Sequence, residues 1–111
     1  MKMTQEELST ICMEMSASAG AGRAKVFEAL ELFHEEKYGQ SESTLLEAQE
    51  LLAEAHKIQF EQLMSPQNRG VEIPFSMLLL HAMDMTMVAT SEHDMLHSIL
   101  KARQKKARGA Q

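Results

Sequence analysis

The sequence predicts an all-α protein, an up-down-up antiparallel bundle of three helices, and three observations carry that expectation. Hydrophobic residues make up 44% of the 111 positions, but aromatics only 5% and Trp is absent, so the apolar content is Leu, Ala and ten Met. These residues, with Glu, Lys and Gln, are strong helix formers. β-branched residues are sparse and never fall into an alternating run, the mark of a half-buried strand. Two prolines and five glycines leave long stretches unbroken. The length fits one domain over residues 1–111, with a single modest core.

The first helix is expected over 4–38. Thr4 and Glu7 form a capping-box pattern. Ile11, Met15, Ala19, Val26, Leu30 and Phe33 then recur at helical spacing. Gly20 and Gly22 interrupt that stripe. Glycine inside a helix costs about 1 kcal/mol against Ala, so the pair marks either a close approach by another backbone or a break. Tyr38-Gly39 reads as the stop, with Gly39 in the left-handed position beyond the C-cap.

The second helix is expected over 41–64. Leu45, Leu52, Ala55, Gln59 and Leu63 draw one stripe, and Glu42, Glu47, Glu50 and Glu54 mark a wet face. Ser65 to Gly70 reads as a loop by composition. The third helix is expected over 74–106, with Pro74 in its first turn. Short connections make sequence neighbours antiparallel.

Helix three carries more apolar surface than one bundle can bury. Leu78, Ala82, Met85 and Ala89 form one stripe, and Met77, His81, Asp84 and Val88 form a second, rotated by one residue. A helix in a three-helix monomer needs one buried face. The second face points to a homo-oligomer; a single wide core face is the alternative.

Net charge is -5. That argues against nucleic acid as the main partner. The basic stretch Lys101 to Arg108 reads as a solvated helix end, where cations complement the helix dipole. Cys12 is alone, forms no internal disulfide and reads as core. The polar N-terminus shows no signal peptide, and the longest apolar run, Met77 to Leu80, is too short to span a bilayer. A cytoplasmic protein is expected.

His81 is the leading candidate for chemistry. It sits mid-helix on an apolar turn, where it serves either as a core histidine with one hydrogen bond or as a nucleophile or metal ligand. Neutral imidazole is available at pH 7 and accepts a phosphoryl group without a base. Asp84, three residues on, shares its face. If that face meets a symmetry axis, identical Asp84 carboxylates converge and need a cation or a shared proton. Otherwise Asp84 accepts a hydrogen bond from its own His81 or Thr86. A minor metal alternative lies in Glu31-x-x-His34 and Asp94-x-x-His97, which have the spacing of helical di-metal sites. His56 reads as a satisfied, partly buried histidine, and Glu92-His93 as a surface pair. Gly20-Ala21-Gly22 follows no strand and so is no phosphate loop.

Leu78-Leu79-Leu80-His81-Ala82-Met83-Asp84 resembles the active-site stretch of the lactose/cellobiose-type enzyme IIA family of sugar phosphotransferase systems, usually Leu-Leu-x-His-Ala-Gln-Asp-His-Leu-Met. Glu54-Ala55-His56-Lys57-Ile58-Gln59 resembles that family's helix-two signature. Ala19-Gly20-Ala21-Gly22-Arg23-Ala24-Lys25, followed by Glu28-Ala29-Leu30, resembles its helix-one signature. The resemblance implies a homotrimeric phosphocarrier. In it His81 takes a phosphoryl group from the carrier HPr and passes it to a cysteine of a IIB component, in concert with a membrane IIC component. It also implies that three Asp84 side chains meet a divalent ion, commonly Mg²⁺, on the trimer axis. Where the family pattern has Gln, His and Leu, this chain has Met83, Met85 and Thr86. A catalytically degenerate relative, kept as a trimeric regulatory or protein-binding module, is the alternative.

Overall fold

Thr4 opens the first helix through the expected capping box. Its hydroxyl accepts from the Glu7 N–H at 3.0 Å, and the Glu7 carboxylate accepts from the Thr4 N–H at 3.3 Å. The computed structural model describes residues 1–109. Its elements are α1 (Gln5–His34), α2 (Tyr38–Gln59), a π-helical turn (Phe60–Met64), α3 (Ser65–Asn68) and α4 (Met77–Gly109). α2, the π turn and α3 run on as one rod, so the architecture is three long helices, with no strand among the described residues. An isolated parallel bridge joins Lys2 to Glu72.

Several boundaries differ from the sequence expectation, most of them for a local reason. α1 stops at His34 because Glu36 takes the left-handed conformation at φ 61°. The Glu36 N–H donates to Phe33 O at 3.0 Å and the Lys37 N–H to Leu32 O at 2.9 Å. That is the Schellman pattern, built on a glutamate; Gly39 lies in the first turn of α2 instead. The segment expected as a loop, Ser65 to Gly70, is helical through Asn68. Pro66 stands directly after the π turn, at the start of α3. Gly70, at φ 98°, then closes the rod, with its N–H on Gln67 O and the Val71 N–H on Pro66 O, both at 3.0 Å. α4 begins at Met77 and not at Pro74, since the Ser76 hydroxyl accepts from the Leu79 N–H at 3.1 Å, the bond of an N-cap. It continues to Gly109, beyond the expected 106.

The inward residues share one rhythm. On α1 they are Leu8, Ile11, Cys12, Met15, Ala19, Gly22, Val26 and Ala29. On α2 they are Ser41, Leu45, Ala48, Leu52, Ala55 and Ile58. On α4 they are Ala82, Thr86, Ala89, His93, Leu96 and Leu100. Alternating steps of three and four keep each helix facing its neighbours over many turns. The result is a rod of 62 × 21 × 17 Å.

The core lies in two parts. Near one end Leu8, Ile11, Cys12 and Met15 of α1 meet Ile58, Leu63 and Ala82. Toward the other, Val26 and Ala29 meet Leu45, Ala48, Leu96 and Leu100. The starts of α1 and α4 therefore lie together, opposite the start of α2, which is the up-down-up order. Between the two clusters the helices meet through small residues. A Cβ at Gly22 would lie 2.9 Å from Leu52 Cγ and 3.3 Å from Ala48 O, so the close-approach reading holds there and α1 does not break. Cys12 is fully buried, and burial pushes its thiol pKa up.

Candidate functional site

His81 stands in the second turn of α4 and points away from the core. Ala82 beside it is buried, which turns position 81 outward. His81 is exposed, so the core-histidine reading is overturned. Asp84 is exposed on the same face. Neither takes part in a hydrogen bond or ion pair among the described residues, and Thr86 spends its hydroxyl on Ala82 O at 2.9 Å. The proposed intramolecular partners of Asp84 are therefore not its partners.

The flanking apolar residues are also uncovered. Met77 is 71% exposed and Val88 51%, which confirms a second apolar face on α4 that the bundle leaves free. The strip continues to Met95 and Ile99, both exposed. An apolar strip of this length is unusual on an isolated soluble chain.

His81 and Asp84 line a groove of about 480 Å³ between α1 and α4. Its α1 wall carries Gly20, Arg23, Ala24 and Phe27, and its α4 wall adds Met85 and Val88. Arg23 is paired with Glu92, Nε to Oε1 at 2.8 Å and Nη2 to Oε2 at 3.2 Å. That hydrogen-bonded carboxylate holds the guanidinium's pKa above its ordinary value. The guanidinium carbon also lies 4.9 Å from the centre of the Phe27 ring. The sequence reading did not single out Arg23 as a site residue. Its pairing spans 69 positions and no local pattern carries it.

The other candidates are placed as follows. His56 is exposed and not partly buried, but it is satisfied. Its Nε2 lies 3.1 Å from Thr90 Oγ1. Thr90 spends its own proton on Thr86 O, so His56 Nε2 is the donor. Glu92-His93 is not a surface pair. His93 is 8% exposed, donates from Nδ1 to Asp94 Oδ1 at 2.9 Å and stacks on His97, with ring centres 5.9 Å apart. Asp94 and His97 are thus drawn to His93, and no group of three or more metal-ligating side chains occurs among the described residues. The di-metal alternative finds no cluster to stand on.

A sequence profile of the family described as "PTS system, Lactose/Cellobiose specific IIA subunit" matches residues 10–104. The chain belongs to this family. It is similar to the lactose-specific EIIA component of Lactococcus lactis subsp. lactis, with 29% identity over 99 residues, 89% of this chain and 93% of that protein. The Staphylococcus epidermidis component is 28% identical over 99 residues, 89% of this chain and 94% of that one. Among solved structures, PtcA from S. mutans superposes with a TM-score of 0.88 at 28% identity, covering 92% of this chain and 99% of that one. The cellobiose-specific enzyme IIA of Bacillus anthracis gives 0.83 at 26% identity, covering 96% and 94%.

As a lactose/cellobiose-type IIA subunit, the chain is a phosphotransfer component of a sugar phosphotransferase system. No helix of the described residues is long and apolar enough to cross a membrane. The IIA pattern also gives meaning to two methionines. Met85, which stands where the pattern has His, lines the groove of His81. Met83, which stands where it has Gln, packs on the core cluster and lines the separate groove between α2 and α4. Met85 thus departs from Ala82 and Ala89, its buried companions in the sequence stripe, and faces the site, while Met83 packs inward.

Proposed function

We propose that this IIA subunit is a phosphocarrier working through His81. The observation that carries the reading is an exposed imidazole beside a carboxylate, in a groove on an otherwise apolar helix face, at the motif position of the family. An imidazole nitrogen, by analogy Nε2, attacks the phosphorus of phosphorylated HPr. The new N–P bond forms as the bond to HPr breaks, and the electron pair returns to the HPr imidazole. In the second step a IIB thiolate attacks the same phosphorus, the N–P bond breaks and His81 is again neutral. A IIC component in the membrane takes the sugar, of the lactose/cellobiose type. The protein's part is to position and to stabilise charge, with little other covalent chemistry. The site of action is the cytoplasm.

The free face of α4 supports assembly as a homotrimer about that face. Asp84 fits a divalent cation in such an assembly. It is an uncommitted oxygen donor, the type Mg²⁺ takes, but one chain offers a single carboxylate and cannot hold the ion alone. Three Asp84 would hold it on the axis, where it offsets their mutual repulsion and so acts on assembly.

The degenerate-module reading has one observation in its favour: Met85, a poor donor and acceptor, faces the His81 groove. One experiment separates the two. The chain and His81→Ala are incubated with phosphoenolpyruvate, enzyme I and HPr, and intact masses are read at neutral to alkaline pH, where phosphohistidine survives. One phosphoryl group per chain, absent from His81→Ala, is the expected result. No addition, with HPr itself phosphorylated, establishes the degenerate module.

A further inference from the structure

The groove of His81 has one cation among its lining residues, Arg23, and Glu92 holds it. Its position is informative. α1 and α4 run parallel, and a Cβ built on Gly20 would lie 4.0 Å from Met85 Sδ, which sets Gly20 level with Met85. Arg23, three residues on, is then level with Val88. Asp84 and Glu92 lie four residues to either side of Val88, about 6 Å each way along the axis. His81 lies seven residues before Val88, about 10 Å along the axis, in the same groove, so a guanidinium extended toward that end meets a phosphoryl group that the imidazole carries toward it. Glu92 has the guanidinium while His81 is unmodified.

We propose that Arg23 is the phosphoryl-binding cation of this site and that Glu92 is the latch that holds it until His81 is phosphorylated. This rests on the phosphocarrier reading. The incoming phosphoryl group brings a charge of roughly −1.5 to −2 at neutral pH, one helical turn from Asp84. The His81 end of the groove then outweighs the single carboxylate of Glu92. A guanidinium matches phosphoryl oxygens with paired N–H groups and stays charged at every working pH. Arg23 is about half exposed, so its rotation opens no core. When the phosphoryl group leaves, the balance reverts and Glu92 recaptures the side chain. The carrier thus stabilises its charged form only while that form exists.

The test is the equilibrium between phosphorylated HPr and this chain, read as the phosphorylated fraction by intact mass. Wild type is compared with Glu92→Gln, Arg23→Gln and the double variant, with circular dichroism melts as a check on folding. Glu92→Gln is expected to shift the equilibrium roughly three- to tenfold toward the phosphorylated chain, and Arg23→Gln to shift it back by a similar factor. The double variant is expected to match Arg23→Gln alone, because Glu92 acts only through Arg23. Arg23→Lys is expected to recover part of the loss, and it serves as the variant of record if Arg23→Gln does not fold. Equal effects of Glu92→Gln with and without Arg23 would mean bulk charge only and overturn the latch. Unmoved equilibria in a wild type that is phosphorylated overturn this proposal alone. A wild type that takes no phosphoryl group from charged HPr removes the phosphocarrier reading and this proposal together.

Discussion

Gly20 and Gly22 stand two positions apart in α1, yet adding a methyl group to each has opposite consequences. At Gly22 the new Cβ meets buried Leu52 at 2.9 Å, so Leu52 or the backbone must move. The helix-propensity gain of about 1 kcal/mol is outweighed by an overpacking cost of about 1–3 kcal/mol. Gly22→Ala is therefore expected to lower the melting temperature. At Gly20 the nearest atom is Met85 Sδ at 4.0 Å, an ordinary contact, so Gly20→Ala is expected to raise it. Melts at equal protein concentration decide both, and a destabilised Gly20→Ala would show that position 20 is packed more tightly than its geometry states. The sequence carried the fact of two glycines in a helix but not which one faces a neighbour. His81 and Asp84 were legible because a charged or nucleophilic residue on an apolar turn stands out. Thr86 and His93 were not, since polar residues in an inward stripe break the apolar pattern by which such stripes are found.

At the scale of the element, the joint between α1 and α2 stores a conformational cost. Glu36 sits at φ 61°, a region that costs a residue with a Cβ roughly 1–2 kcal/mol. Glu36→Gly keeps the Schellman bonds to Phe33 O and Leu32 O and removes that cost. An increase of about 1 kcal/mol in unfolding free energy is expected, measurable by urea denaturation; a loss of stability would mean that the Glu36 side chain makes a contact worth more than the strain. This joint also shows why helix ends were the least legible part of the chain. Glycine is the usual left-handed residue, and Gly39 lay close enough to be taken for it. The rod from α2 to α3 teaches the converse. Ser, Pro, Gln and Asn read as a loop, but Pro66 stands directly after the π turn and the helix runs on through Asn68. Helix existence and order were carried by spacing over many turns, which local chemistry does not disturb.

For the molecule as a whole, the free strip on α4 bears on assembly. If three Asp84 converge on an axis, Asp84→Leu removes their repulsion and is expected to keep the trimer without any divalent ion. Light scattering after chelation, in wild type and variant, checks this; a monomeric Asp84→Leu would show that the carboxylate holds the assembly together. The second face of α4 was visible in sequence as two adjacent stripes, and the bundle does leave Met77 and Val88 uncovered. What sequence could not supply was the split of the core into two clusters with small residues between, because that depends on which residues of three helices share a level. The π turn at Phe60–Met64 has a consequence of a different kind. The inward stripe of the rod steps from Ile58 to Leu63, five positions and not three or four. The turn absorbs one surplus residue, so the stripes on its two sides remain in phase. Removing a residue there would convert it to ordinary helix and leave the core intact. The same deletion in the body of α2 would turn every later side chain by about 100° and face the wrong ones inward. In terms of tolerance to insertion and deletion, the bundle has one place along its second helix where chain length is free to change by one.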